Sequence, residues 1–121
     1  MLPPPAGSKS IPVLAKASEA YKEWHNHLQH IPRLSRYSIG MKIDALFTQL
    51  IESLIHAGYA TERNKKILVI DRAIVTLNTL KYFLQLIWEI NLIDQRKFES
   101  LSMPLHEIGK MANGWKKYLE T

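Results

Sequence analysis

Three histidines near the start of the chain are the side chains best suited to metal or acid–base chemistry. They stand at positions 25, 27 and 30 of the stretch WHNHLQHIPRLSRYSIG, which runs from Trp24 to Gly40. A helical zinc site takes ligands from one face, typically three or four residues apart, with partners from elsewhere. At 100° per residue only His27 and His30 satisfy that spacing, and the three rings do not converge. We therefore predict a polar helix end here and no metal site.

Other catalytic patterns are also missing from the sequence. No glutamate has a histidine three residues later, as a di-iron bundle would require. Glu52 and His56 are four residues apart, a spacing more typical of a surface pair. The glycines of GKMANGWKK have the separation of a P-loop, but Trp115 stands where the lysine should be. With no cysteine to act as a nucleophile or ligand, the chain is predicted to have no enzymatic activity, cofactor or small-molecule substrate.

The elements that carry these residues are predicted to be helices. Apolar residues recur at intervals of three and four, which is the spacing of one helix face. The sequence therefore predicts four helices, at about 14–31, 38–59, 61–91 and 94–119. Because the connections are short, neighbouring helices should be antiparallel, and we predict an all-α, up-down-up-down four-helix bundle. Pro104 predicts a kink in the fourth helix or a late start to it.

The amino-terminal segment differs from the rest in composition. Residues 1–12, MLPPPAGSKSIP, are rich in proline and predict a flexible arm, followed by one bundle domain over residues 13–121. This segment lacks the charged and then apolar order of a secretory signal. No window reaches the roughly 18 uninterrupted apolar residues of a membrane span. We therefore expect a cytoplasmic protein without a membrane partner.

Positive charge is the strongest indication of a partner. Sixteen Lys and Arg residues against eleven Asp and Glu give a formal charge of +5, which favours polyanions. Many of these cations lie in loops or near helix N-termini, where the helix dipole disfavours them. We predict phosphate contacts at both bundle ends, the first formed by Arg33, Arg36, Arg96 and Lys97, and the second by Arg63, Lys65, Lys66, Lys116 and Lys117. The alternative is that these corners are merely solvated, and the helix dipole alone explains Lys116 and Lys117 well.

Three segments of the sequence resemble a known family. They are IPRLSRYSIGMKIDALFTQLIESLIHAGYA, LKYFLQLIWEI and LSMPLHEIGKMANGWKKYL, together with the preceding Trp24. From about Ala20 to Leu119 the chain resembles the Avd family, the accessory variability determinant proteins of diversity-generating retroelements. A related group, the four-helix bundle proteins encoded in rRNA intervening sequences, usually carries an IPSNIAEG-like segment where this chain has IPRLSRYSIG.

The resemblance implies a function as well as a fold. It implies a homopentameric barrel of four-helix bundles that binds the retroelement's reverse transcriptase and template RNA, with cDNA as a further candidate. Such a protein has no catalytic role of its own and supports mutagenic cDNA synthesis during mutagenic retrohoming. The alternative is a protein of the rRNA intervening-sequence type, or another basic scaffold that binds RNA or protein.

Subunit assembly is consistent with the apolar pattern of the second helix. Its apolar positions cover about half of the circumference, more than one bundle core usually needs. We therefore expect Phe47 and Ile51 at or near a contact between subunits. Lys81 falls within the apolar face of the third helix, where an unpaired ammonium is costly to bury. We predict that Lys81 has a carboxylate partner or lies in a wet location between subunits.

Overall fold

Four long helices and one short one make up the part of the chain that the structure describes. The structure is a computed structural model that describes residues 10–121. It contains the helices α1 (Ser10–Leu28), α2 (Arg33–Ser35), α3 (Met41–Tyr59), α4 (Arg63–Glu89) and α5 (Gln95–Glu120). A π-helical turn, Arg36–Gly40, joins α2 to α3. No strand occurs in these residues, so the all-α prediction is confirmed for them.

The long helices form a four-helix bundle in which each helix packs against two others. Helix α1 contacts α3 and α5, and α4 contacts the same two helices. Cross-helix pairs show that α1 and α5 are antiparallel, because Lys16 pairs with Glu107 and Glu23 with Ser100. Lys116 pairs with Asp71 and Gly109 lies against Lys81, so α4 and α5 are antiparallel as well. Across residues 10–121, no helix has the length and apolar character needed to cross a bilayer.

Aromatic packing between α1 and α3 anchors the core. Trp24 and Phe47 are fully buried, and their rings stack with centroids 6.0 Å apart and an interplanar angle of 17°. The Trp24 indole Nε1 donates a hydrogen bond to Asp44 Oδ1 at 3.2 Å, so its polar atom is satisfied. Tyr21, on the same helix as Trp24, packs against Phe47 with the two rings in a T-shaped arrangement. This cluster holds the end of α1 against the start of α3.

The first corner is tighter than the sequence predicts. The sequence predicts that the helix now labelled α3 begins near Ser38. In the structure, helical conformation resumes earlier, at Arg33, directly after Pro32. Gly40 allows this close return of the chain. A Cβ atom there would lie 3.0 Å from Leu28 Cδ1 and 3.3 Å from the Ser35 carbonyl oxygen. Because the second of these atoms is backbone, a larger residue would displace the turn.

The corner between α4 and α5 sets the start of the last helix. Asn91 takes a left-handed conformation, with φ of 64°, and the Leu92 N–H donates to the Ile87 carbonyl oxygen at 2.8 Å. This is the bond pattern that closes helix C-termini. Asp94 then caps α5 by accepting a hydrogen bond from the Lys97 backbone N–H at 2.8 Å.

The structure places the start of the last helix and of the first helix differently from the sequence predictions. Helix α5 begins at Gln95 and runs through Pro104, so the predicted late start is wrong. Buried Leu101 and Leu105 on either side of the proline keep this part of the helix on the core. Of the arm predicted for residues 1–12, the first nine residues lie outside the described part, and α1 begins at Ser10.

Candidate nucleic-acid interface at the ends of the bundle

Two corners of the chain bring basic residues to the same end of the bundle. We call this the Arg33 end and define it by the four predicted residues Arg33, Arg36, Arg96 and Lys97. The antiparallel packing of α1 and α5 joins the two corners, because Ser100 Oγ donates a hydrogen bond to Glu23 Oε1 near the end of α1. The structure therefore places the two corners on one side of the molecule.

Three of the four cations at the Arg33 end form no side-chain hydrogen bond or ion pair within the described chain. Arg33 and Arg96 are exposed, and Lys97 is half-buried at the start of α5. The Arg33 guanidinium carbon lies 5.9 Å from the centroid of the Tyr37 ring, a cation–π distance that orients the side chain without neutralising its charge. These three side chains therefore keep their positive charge available for an anion.

Arg36 has a different environment from the other three. Its Nε and Nη2 atoms donate to the Ile31 carbonyl oxygen at 3.3 and 3.1 Å, and Nη2 also donates to the Gln29 carbonyl oxygen at 3.3 Å. These carbonyl groups lie in the turn that follows α1, where helical partners are lacking. Arg36 thus holds the first corner together, and most of its hydrogen-bonding capacity is used within the chain.

The opposite end of the bundle is more strongly neutralised. We call it the Arg63 end and define it by Arg63, Lys65, Lys66, Lys116 and Lys117. Lys116 Nζ lies 2.7 Å from Asp71 Oδ1, and this hydrogen bond and charge raise the pKa of the ammonium above its usual value. Lys65 Nζ lies 3.8 Å from Glu62 Oε2, and Lys66 Nζ lies 5.7 Å from the centroid of the Trp115 ring. Only Arg63 and Lys117 of this set have no partner within residues 10–121.

The three histidines do not form a common site. His25 and His30 are exposed, whereas His27 is half-buried. The Nε2 atom of His27 is buried and lies 3.7 Å from Glu23 Oε1, too far for a hydrogen bond. In the chain from residue 10 onward, no group of three or more His, Asp or Glu side chains is arranged to hold a metal ion.

The residues predicted at a subunit contact lie in different environments. Phe47 has no exposed surface, since its ring is enclosed by α1 and the core of its own subunit. The Phe47 ring therefore does not itself form a subunit contact, and the prediction that it lies near one stays a prediction. Ile51 is half-buried and packs on the rim of the core. Lys81 is half-buried beside α5 and has no carboxylate partner among the described residues, which removes the first of its two predicted environments.

The outer face of α4 carries an apolar stripe that the sequence analysis does not identify. Leu68, Val75 and Tyr82 are 62%, 64% and 64% exposed. Their seven-residue spacing places them within about 40° of one another on the helix surface, opposite the core. We call these three residues the α4 stripe. The spacing is visible in the sequence, but the same helix also carries a second apolar face, and only the structure shows which face is covered.

One comparison with known proteins gives a match. A family model described as bAvd-like matches residues 13–119, a range that takes in α3, α4 and almost all of α1 and α5. No curated protein and no solved structure matches the chain.

Proposed function

The chain belongs to the bAvd-like family, and we propose that it is a non-catalytic accessory protein of a diversity-generating retroelement. In this role it binds the reverse transcriptase of the element and the template RNA, and it supports mutagenic cDNA synthesis. The observation that carries the proposal is the extent of the family match, which covers nearly the whole bundle rather than one motif.

The charge distribution supports RNA as a partner. Arg33, Arg96 and Lys97 gather at one end of the bundle, and none of their side chains forms an ion pair within the described residues. The Asp94 carboxylate at this end caps α5 by accepting from the Lys97 backbone N–H. Cations that contact phosphate release condensed counterions from a nucleic acid, and this release supplies most of the affinity of sequence-independent binding. The Arg33 end is therefore the better candidate surface, and Arg63 and Lys117 at the other end are weaker ones.

The α4 stripe supports assembly of several copies. The resemblance implies a homopentamer, and an outward row of three large apolar side chains is typical of a surface that another subunit covers. Five copies at +5 each would carry about +25. Repetition of each weak patch in one particle would raise the overall affinity for a long RNA.

Removing the free charges at the Arg33 end tests RNA binding. In the triple variant Arg33→Gln, Arg96→Gln, Lys97→Gln, each lost contact with a single strand should remove about 0.7 from the slope of log K against log salt. We expect the slope to flatten by about 2 and the affinity at 0.1 M salt to fall about 100-fold. Arg36 is left in place because it stabilises the corner. Affinity is measured by fluorescence anisotropy with a labelled single-stranded template RNA.

The matched control removes three cations from the sides of the helices. The variant Lys16→Gln, Lys22→Gln, Arg72→Gln has the same net charge but leaves both bundle ends intact. It should change the affinity by no more than a few-fold. Equal losses in the two triple variants would show that net charge alone attracts the RNA, and no loss in either would refute RNA binding by the Arg33 end.

A further inference from the structure

A polar groove lies between α4 and α5, midway between the two ends of the bundle. It encloses a cavity of about 390 Å³. Two apolar residues, Ile74 and Leu77, form part of its lining. The other lining residues come from both helices and are Asn78, Lys81, His106, Gly109, Lys110 and Asn113. No Asp or Glu lines it. The groove thus combines two ammonium groups, an imidazole and two amides, all of which are able to donate hydrogen bonds.

Lys81 is the central residue of this groove. A Cβ atom on Gly109 would lie 3.4 Å from Lys81 Nζ and 3.4 Å from Leu77 Cδ2, so the ammonium rests against the backbone of α5 where a glycine leaves room for it. The Asn113 side chain is fixed nearby, because its Nδ2 donates to the Gly109 carbonyl oxygen at 2.8 Å. The ammonium of the half-buried Lys81 therefore lies against α5 in the lining of the cavity.

The nearby carboxylates are already engaged with other lysines. Glu107 pairs with Lys16 of α1 at 2.6 Å, and its hydrogen bond to that ammonium lowers the pKa of the carboxyl. Asp71 pairs with Lys116 at 2.7 Å. Partial burial of a charge without a counterion is unfavourable. Glu107 also interacts electrostatically with Lys110 and His106, whereas Lys81 has no carboxylate counterion in the described chain. An anion in the groove would therefore stabilise the Lys81 ammonium.

A row of cations on α5 runs past this groove. Arg96, Lys110 and Lys117 are exposed and have no ion-pair partner within the described chain. Their spacings of fourteen and seven residues place them within about 60° of one another on the helix, about 21 Å and 10 Å apart along its axis. Glu99 shares this side of α5 and accepts a hydrogen bond from Gln95 at 3.1 Å. The row connects the Arg33 end with the Arg63 end, and the groove lies beside its middle member.

We propose that the α4–α5 groove binds a phosphate group of the RNA backbone, with Lys81 and Lys110 as the main ligands. This inference rests on the proposed function, since it takes RNA as the occupant. A strand that follows the row of cations along α5 passes the groove, and a backbone phosphate can there accept hydrogen bonds from ammonium groups of both helices. The groove contacts phosphate and therefore positions the strand without reading its bases.

The first test compares two double variants of the full chain with a labelled 20-nucleotide oligouridylate. Lys81→Gln, Lys110→Gln should lose two phosphate contacts, which flattens the slope of log K against log salt by about 1.4 and lowers affinity about 25-fold at 0.1 M salt. Lys22→Gln, Arg72→Gln removes the same charge away from the groove and should lose no more than about threefold. Circular dichroism verifies that both variants keep the helical content of the wild type.

The second test uses the wild-type protein and is independent of any variant. Lysines are acetylated briefly with and without the oligouridylate, and the modified positions are quantified by mass spectrometry. We expect RNA to lower the reactivity of Lys81 and Lys110 severalfold while Lys22 reacts as before. Inorganic phosphate at the same phosphate concentration should protect them less, because a single anion lacks the contacts along α5.

Each other outcome overturns the groove as an RNA site. If the wild type binds RNA but the lysines stay reactive and the double variant keeps its affinity, the proposed function stands and the groove is not involved. Protection by inorganic phosphate alone would identify a site for a free anion. Loss of reverse-transcriptase binding with RNA affinity intact would identify a protein-docking surface. No RNA binding by the wild type would contradict both the groove and the proposed RNA partner.

Discussion

Replacing Phe47 by alanine is expected to lower the free energy of unfolding by about 3–5 kcal/mol, the usual cost of deleting a buried aromatic ring. Phe47 is fully buried and contacts both Trp24 and Tyr21, so its removal leaves a cavity between α1 and α3. The measurement is urea unfolding followed by far-ultraviolet circular dichroism. Wild type and variant are compared at one protein concentration, because assembly makes apparent stability depend on concentration.

The control for this variant is Met103→Ala, which truncates a side chain that is 66% exposed on α5. It should change stability by no more than about 0.5 kcal/mol. A Phe47→Ala protein that keeps its stability but falls apart into subunits would contradict the structure. That result would place the Phe47 ring at a contact between subunits. The width of the apolar face of this helix, taken alone, predicts such a position.

Replacing the α4 stripe is expected to abolish assembly without unfolding the bundle. In the variant Leu68→Gln, Val75→Gln, Tyr82→Gln, three apolar side chains on the outer face of α4 become polar. None of them contributes to the buried core of the subunit. We expect analytical ultracentrifugation at micromolar concentration to show a 14.0 kDa monomer for the variant and a homo-oligomer for the wild type. Circular dichroism should show the same helical content for both.

The matched control carries Ile90→Gln and Met103→Gln, which remove two other exposed apolar side chains. This control should assemble as the wild type does, because neither residue lies on the stripe. A wild type that sediments as a monomer would refute the assembly, and a stripe variant that remains assembled would show that another face forms the contact.

The helices were predictable because each one buries a continuous face at helical spacing. The pattern of one helix cannot show whether Phe47 lies in the core of its own subunit or at a contact. Helix α3 packs against both α1 and α4, so a face covering half of its circumference is used within a single subunit. On α4, by contrast, Leu68, Val75 and Tyr82 form a row of exposed apolar side chains that point away from the core.

Pro104 shows how packing overrides a local signal. A proline inside a helix costs about 3 kcal/mol, which is why the sequence suggests an interruption. The helix continues because its neighbours Leu101, Leu105 and Ile108 are fully buried, and each buried side chain of this size contributes about 1.5–3 kcal/mol. The local cost is therefore smaller than the sum of the contacts that an interruption would lose.

The candidate site was predictable only in part. The antiparallel order of the helices brings Arg33 and Arg96 to one end, as the sequence indicates. The role of Arg36 depends on where the carbonyl groups of Gln29 and Ile31 point after α1 ends, which spacing does not determine. The composition of the groove could not be predicted, because it depends on the register of α4 against α5. Lys81 and Gly109 come close together only when the two helices pack.

The most direct test of the proposed function is reconstitution with the reverse transcriptase and the template RNA of a diversity-generating retroelement. The purified components are mixed and separated by size-exclusion chromatography, and cDNA synthesis is measured with and without this protein. We predict one complex that contains all three components, and cDNA yields that rise when the protein is added. Elution of the protein apart from both the enzyme and the RNA, with unchanged cDNA synthesis, would contradict its role as an accessory protein.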